Sequence, residues 1–542
     1  MFGHDYLDSR VTSHSATSSL DISVEVICED LVREKYFSNL DNDDMYLPIL
    51  AAWPEIKAGV HDILQSSPAT ADCMTCIALF KLGFDWLFDN PKTVYISVSH
   101  DSDEAGWPPV LAEIQSFLDG YGFDLHGHIE HNFPSPLADP GFPLLSATKA
   151  LTGAEIRDKV NHFNMVLPQH LTAKVNAGAD IGACTYVPKN KSPPVGNDEL
   201  ANPVVGTLGC WLEIKVRDRG WRTVGLTNYH VTRPCLSGYH IVEAGGGRCS
   251  GPVARDTELW KVDKEGLGTG AAKQLQVQVE SPTRAKLNFS VSVNRAGVEK
   301  KRKENPDAFA TARISEMEAQ EKEWLAFFND EKHVLGRVCF ASGYLQRTSQ
   351  NGRLDWALIN PTEDSRVGQN LLPTSEEWQA TWGMGEYPHR TGVAITSPQP
   401  GSTTSIHDMK HGDVVYKVGA STKWTIGEFN GFKADCVIKE ERYMNGQGRK
   451  VPLKSTEFVF IPSLGAYKLG VHNWGVPFAR WGDSGSVVWD TNGCAVGLLF
   501  RGQSPAQSMN WFTYVTPIED VFASIKARSG GKIEEIRFLG ES

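Results

Sequence analysis

The sequence predicts a multidomain chain, α/β at its N-terminal end and all-β over its C-terminal part. Three observations carry this expectation. The chain is 542 residues long, room for two to four domains at the usual one to two hundred residues each. Apolar residues recur at helical spacing in the first part, whereas beyond about residue 203 they come in short alternating runs cut by Gly and Asn. A polar stretch from Pro188 to Pro203, which also holds Pro193, Pro194 and Gly196, separates the two textures.

Residues 1–20 carry Asp5, Asp8, Arg10 and many hydroxyls around no apolar core, so they read as a flexible leader and not as a secretion signal. An α/β domain of unknown role follows at 21–165. Helical patterns run through 22–36, 46–64 and 73–88. Residues 93–98 alternate as a strand, Pro108 and Pro109 open a helix with Val110, Leu111, Ile114, Phe117 and Leu118 at helical spacing, and 123–129 alternate again. Residues 93–131 thus form a β-α-β unit. Residues 134–143 are turn-rich, 150–167 look helical, and 166–202 read as a linker. Short strands are then expected at 206–215, 221–226, 334–346, 354–359, 414–419, 458–460, 486–489 and 496–500, the texture of a barrel or sandwich. One segment interrupts them. Asn305-Pro306 suits a helix start, and Ile314, Met317, Trp324 and Phe328 share one face, so 306–329 is expected as an inserted amphipathic helix.

Hydrophobic residues make up 41% and charged residues 22%, the composition of a chain that buries a sizeable core. Lys and Arg number 53 against 65 Asp and Glu, a net charge of −12. Such a surface suits neither phosphates nor anionic lipid, so no nucleic-acid or membrane partner is expected. Gly, Pro or a charge breaks each apolar run short of the roughly 18 residues a membrane helix needs. The 10 cysteines lack the dense spacing of a disulfide-stapled secreted domain, which points to an intracellular, cytoplasmic protein.

Three segments carry chemistry. Gly225-Leu226-Thr227-Asn228-Tyr229-His230-Val231 ends an apolar strand in a histidine. Leu354-Asp355-Trp356-Ala357-Leu358-Ile359 sets an aspartate at the head of a strand. Gly482-Asp483-Ser484-Gly485-Ser486-Val487-Val488 places a serine in a glycine-flanked turn. A serine hydroxyl is a poor nucleophile at neutral pH and needs a base to take its proton as it attacks a carbonyl. His230 can be that base, and Asp355 can fix its tautomer and stabilise it when charged. The negative oxygen of the tetrahedral intermediate needs N–H donors already aimed at it, and the N–H groups of Gly482 and Ser484 are the predicted oxyanion hole.

In order and in letters these segments resemble those of the trypsin-like, chymotrypsin-fold serine peptidases, and among them the intracellular, HtrA-like type with a strand ending in Thr-Asn-x-His-Val. The resemblance covers about residues 203–528. Val415 to Gly419 running to Trp424 to Gly427 looks like a strand pair of the second barrel, and Tyr514 to Ile518 leads into a helix at 520–527 like the one that closes this fold. It implies two six-stranded antiparallel barrels: 203–370 with the inserted helix, and 371–528 with the terminal helix, before a tail at 529–542. It also implies a serine endopeptidase that cuts protein or peptide substrates through an acyl-enzyme, with no cofactor and no metal. By motif offset, Phe478 and Ala479 would floor the first specificity pocket, with Leu499, Phe500, Arg501 and Gly502 on one wall. No acidic residue stands at the floor, so an apolar or small side chain is expected in the substrate, while Arg480, Arg501 and His472 leave an acidic one open.

In secreted members a newly cut N-terminus pairs the acidic residue before the serine, and Asp483 holds that place here. Val204-Val205-Gly206-Thr207 resembles such a start, but the expectation is regulation by the N-terminal region, as a docking place for a regulatory protein partner, and not by obligatory cleavage. Two other readings stand beside the peptidase: a catalytically silent peptidase fold used for binding, and an assembly protein that cleaves only its own chain. Remaining features read as ordinary structure. His126, His128 and Glu130 have the spacing of metal ligands but read as a solvated strand face. Cys73 and Cys76 read as core packing, Lys300-Lys301-Arg302-Lys303 as a solvated turn, and Gly245-Gly246-Gly247 lacks the residues of a phosphate loop.

Overall fold

The computed structural model of the chain describes residues 33–85, 89–132, 135–136, 165–189 without 173, 200–244, 247–268 without 252 and 256, 277–304, 307–372, 403–437, 443–444, 450–451, 454–463 and 477–540 without 509. The expected leader, the helical patterns at 22–32 and 150–164, most of the turn-rich stretch and His472 lie outside these residues.

The N-terminal region holds β1 (Tyr36–Ser38), α1 (Tyr46–Ser66), β2 (Met74–Gly83), β3 (Lys92–Val98), α2 (Trp107–Asp119), β4 (His126–His131) and β5 (Ser135–Pro136). β3 and β4 run parallel with Thr93 opposite His126, and α2 makes the crossover, burying Val110, Ile114 and Leu118 one turn apart on one face. Within the segment 73–88, expected as a helix, Met74–Gly83 form strand β2. Ile77 and Leu79 pack with residues of α1 and α2, while Cys76, Ala78, Phe80 and Leu82 pack with Val459, Ile461, Phe500, Phe512 and Tyr514. A strand covered on both faces is apolar throughout, so its period of two disappears from the sequence. Tyr36, the last residue of another expected helix, instead opens β1, which pairs with this strand.

Next come β6 (Asp180–Ala183), β7 (Val205–Thr207), β8 (Cys210–Val216), β9 (Gly220–Thr227), β10 (Gln278–Glu280), α3 (Arg284–Lys303), α4 (Ala308–Asn329), β11 (Val334–Ala341) and β12 (Ala357–Pro361). β13 (Val414–Gly419), β14 (Lys423–Val437), β15 (Lys454–Pro462), β16 (Val487–Asp490), β17 (Ala495–Gln503), β18 (Phe512–Pro517), α5 (Ile518–Arg528) and β19 (Ile533–Phe538) complete the chain. An eight-stranded antiparallel sheet has the order β19-β8-β9-β12-β11-β10-β6-β7, and six further strands close into a ring, β13-β16-β17-β18-β15-β14, through a β13–β14 pairing. The expected pair of six-stranded barrels is corrected accordingly: one ring of six, and one wider sheet whose end strands add no further ladder among the described residues.

Two boundaries also move. β14 shifts register between Asn430 and Ala434; before the shift it pairs with β13, and after it with β2, Cys436 opposite Cys76. Through that pairing the N-terminal strands extend the sheet that holds the ring. The expected linker 166–202 contains β6, whose residues are all buried, and the expected tail contains β19, which pairs with β8.

The inserted helix expected at 306–329 is present as α4 but follows an unanticipated partner, α3. The basic run Lys300 to Lys303 forms the last turn of α3, where cations meet the negative end of the helix; it is not a turn between elements. Trp324 of α4 packs with Val166 and Leu287. No helix among the described residues is long and apolar enough to cross a membrane, and eight described cysteines are free thiols.

Candidate active site

Strand register brings the histidine to the aspartate. β9 and β12 are antiparallel neighbours with Thr227 opposite Ala357, so the residues just after one strand lie beside those just before the other. Asn228 donates its side-chain amide to the Asp355 carbonyl at 2.6 Å, and His230 follows in a short helical turn, Tyr229–Thr232. The imidazole Nδ1 lies 2.6 Å from Asp355 Oδ2, and the His230 backbone N–H donates to Oδ1 at 3.0 Å. Both side chains are buried. His230 Nε2 has no hydrogen-bond partner among the described residues.

Burial alone would raise the Asp355 carboxyl, but the His230 charge, the hydrogen bonds from its ring and backbone, and the nearby Arg353 guanidinium outweigh it and hold the group down at about 2. Asp180 in β6 is also held at about 2: its burial is outweighed by Lys286, whose ammonium lies 3.0 Å away, and by the Thr283 N–H. A carboxyl whose folded pKa lies below its unfolded one stabilises the fold above the unfolded value. That contribution, on the order of 2 kcal/mol for each group, is lost as pH falls from about 4 to about 2. Thermal scans should therefore show Tm dropping steeply across that window, and Asp180→Asn should flatten the drop while lowering Tm at neutral pH. A Tm indifferent to pH between 5 and 2 would contradict the assignment.

The serine turn sits against the same strand end. Gly482 and Gly485 both take positive φ, 97° and 96°, a region that a side chain disfavours; a β-carbon at Gly485 would also run into the Thr207 carbonyl. Thr207 in β7 staples the turn: its N–H donates to the Ser484 carbonyl at 2.7 Å, its hydroxyl donates to the Gly482 carbonyl at 2.8 Å, and its carbonyl accepts from the Thr227 hydroxyl at 2.8 Å. The turn therefore leans on the end of β9 that leads into His230. The N–H groups of Gly482 and Ser484 make no hydrogen bond among the described residues. The Ser484 hydroxyl donates to the Phe500 carbonyl at 3.2 Å and not to His230, and Ser484 is fully buried.

Asp483, beside the serine, is fully buried and ion-paired to an equally buried lysine, Lys417 of β13, at 3.2 Å. The same carboxylate accepts from the N–H groups of Ser421, Thr422 and Arg480 and from the Thr422 hydroxyl. Burial pushes the Lys417 ammonium down, opposed by Asp483. Val204, with the resemblance to a processed start, is buried and continues directly into β7. Sequence reasoning missed Lys417 and Thr207. The signal for Lys417 was its phase: it shares the face of Val415 and Gly419 in an alternating strand, where a solvated lysine does not belong.

Of the residues expected around a specificity pocket, Phe478, Ala479 and Leu499 lie fully buried in one apolar cluster with Val488, Val496 and Val515. Phe500 packs on the other side with Phe80 and Tyr95. Arg501 is buried, with a guanidinium nitrogen 2.8 Å from the Tyr344 hydroxyl, and Gly502 lies in β17. His128 and Glu130 do not form a solvated face. Glu130 is buried, accepting from the Tyr95 hydroxyl at 2.7 Å and the Ala506 N–H at 2.7 Å, with His128 Nε2 at 3.1 Å; polar partners on β3, on β4 itself and just after β17 satisfy it. No cluster of metal-ligating groups occurs among the described residues.

No family model matches the chain, and no curated protein matches it in sequence. Among solved structures, a glutamic-acid-specific serine protease that uses a histidine triad in substrate binding is 11% identical over 65% of this chain and 97% of its own, with a TM-score of 0.25. Thermobifida fusca protease A is 12% identical over 65% of this chain and 96% of its own, TM-score 0.24. A Cellulomonas bogoriensis chymotrypsin is 15% identical over 38% and 78%, TM-score 0.18. These neighbours are serine proteases, and likeness at this level carries no argument about this chain's activity.

Proposed function

We propose that the chain is a serine endopeptidase acting through His230, Asp355 and Ser484. The observation that carries this reading is the buried carboxylate–imidazole pair, with Nε2 left without a partner, beside a serine turn stapled to the same strand end. Asp355, ionised across the working pH range, fixes the proton on Nδ1 and leaves Nε2 as the base. In this reading the Ser484 hydroxyl leaves the Phe500 carbonyl and gives its proton to Nε2. The oxygen then attacks the substrate carbonyl carbon, and the carbonyl oxygen takes the negative charge before the N–H groups of Gly482 and Ser484. The imidazolium returns its proton to the leaving amine, an acyl-enzyme forms, and water attacks it by the same route in reverse. No cofactor enters these steps. No acidic group lies among Phe478, Ala479 and Leu499, which are fully buried in one apolar cluster; a preference for an apolar or small residue before the cut bond, over Lys or Arg, is part of this reading.

A second reading has its own support. The Ser484 hydroxyl is turned to Phe500 and wholly buried, as suits a silent or self-cleaving fold used for binding or assembly. Labelling with a fluorophosphonate decides between them, because the probe reacts only with a serine activated by a base. The peptidase reading expects a label on Ser484 located by peptide mass spectrometry, and none in Ser484→Ala; an unlabelled wild-type chain under all conditions, unfolded controls aside, favours the binding reading.

A further inference from the structure

We propose that Glu457 and Thr516, two side chains of the six-stranded ring, are positioning residues for Asp355: they grip the backbone two residues ahead of it and fix where its carboxylate stands. The proposal deepens the peptidase reading and rests on it for its catalytic meaning.

The aspartate and the serine come from different sheets. Asp355 leads into β12 of the wide sheet, whereas the serine turn precedes β16 of the ring. The ladders of β12 with β9 and β11 begin only at Ala357, so Asp355 lies outside them and its place depends on what holds the chain just before the strand. Arg353 is that point. Its N–H donates to both oxygens of Glu457, at 3.1 and 3.3 Å, and its carbonyl accepts from the Thr516 hydroxyl at 2.8 Å. Both backbone polar groups of this residue are therefore held by side chains of the ring. β15 and β18 pair with Phe458 opposite Val515, and one step along that antiparallel register stand Glu457 and Thr516, so acceptor and donor reach Arg353 from one face.

Arg353, Asp355, Glu457 and Thr516 are all buried, where a main-chain group that loses its partner is costly. The grip extends upstream, where the Asn351 carbonyl accepts from the Thr456 N–H at 3.1 Å. On the far side of Asp355, the Trp356 N–H donates to the Ser342 hydroxyl at 3.0 Å, and Asn228 holds the Asp355 carbonyl. The aspartate is thus strung between the two sheets. Thr207 reaches from the wide sheet to the serine turn, and Glu457 and Thr516 reach the opposite way, so the two ties together set the carboxylate–imidazole pair against the serine. A misplacement of about 1 Å in such a constellation costs about 10²-fold in rate. Burial pushes the Glu457 carboxyl up, and what the grip uses is an acceptor oxygen, which a glutamine keeps.

The test follows fluorophosphonate labelling of Ser484 in the full chain, reading the limiting rate constant, the half-saturating probe concentration and the final extent. Thr516→Val keeps the shape and removes the donor. Its limiting rate constant is expected to fall about tenfold or more with half-saturation within about twofold, and Thr516→Ser to recover to within about threefold of wild type. Glu457→Gln should also stay within about threefold, and Glu457→Leu should fall about tenfold or more; if that chain does not fold, the threonine pair decides. A merely structural role would lower the final extent, through fewer folded chains, and leave the rate constant of the labelled ones unchanged. That outcome, or Thr516→Val within about twofold of wild type, overturns the proposal. Should no chain label, the peptidase reading falls, and the proton resonance of the His230 Nδ1–H, held 2.6 Å from Asp355, decides the grip: a shift in Thr516→Val that Thr516→Ser reverses supports it, and an unmoved resonance overturns it.

Discussion

Asp355→Asn should lower kcat/KM on a peptide substrate by about 10⁴-fold with little change in the folded chain. The carboxylate makes two contacts to one residue, Oδ2 to the imidazole Nδ1 and Oδ1 to the backbone N–H of His230. Asparagine can keep only one of them in its native sense. Its carbonyl oxygen accepts from the backbone N–H, and its NH₂ group then faces Nδ1 and forces that nitrogen to accept. The ring proton moves to Nε2, where the base should be, and no buried charge remains to stabilise the imidazolium. The loss should appear in kcat far more than in KM, and the fluorophosphonate rate should fall with it. Asp355→Asn retaining a tenth or more of wild-type kcat would show that the pair is structural.

Lys417→Met should combine a large loss of stability with a loss of turnover. Both members of the Lys417–Asp483 pair are fully buried, and removing one leaves the other as an unpaired interior charge, a cost on the order of 3–5 kcal/mol. Asp483 also gathers the N–H groups of Ser421, Thr422 and Arg480, so its displacement unlocks the turn that aims the Gly482 and Ser484 N–H groups. Loss of an oxyanion donor lowers kcat by about 10²–10³. Pairing the change with Asp483→Asn separates the two effects, because the double variant carries no buried charge: Tm should recover in part while kcat stays low. Unchanged Tm and kcat in Lys417→Met would rule out the role.

The legible parts of the sequence were those with one face in water. Residues 46–64 and 107–119 betray themselves as helices because apolar residues return every turn, and the strands leading to His230 and from Asp355 end in short motifs whose letters carry their geometry. β2 was misread because both of its faces are covered. α3 was missed for another reason: it buries Lys286, Ser290 and Asn294 along with its apolar residues, and those polar side chains are satisfied by Asp180, by backbone carbonyls and by Val166 N–H, so its inner face does not look apolar. β6 is only four residues long and buried throughout, and the burial of β19 does not alternate, so neither shows a period of two. Lys417 and Thr207 act through partners distant in sequence: the phase of Lys417 in its strand marks it as buried but does not name Asp483 as its partner, and no local pattern points to Thr207.

The β2–β14 junction bears on how the chain is made. Cys76 lies 3.1 Å from the Tyr514 hydroxyl across 438 positions, so part of the cover for the apolar back of β2 is made late. At about 5–20 residues per second the wait between the two is roughly 20–90 s, and until it ends an incompletely covered apolar strand is open to pairing with a neighbouring nascent chain.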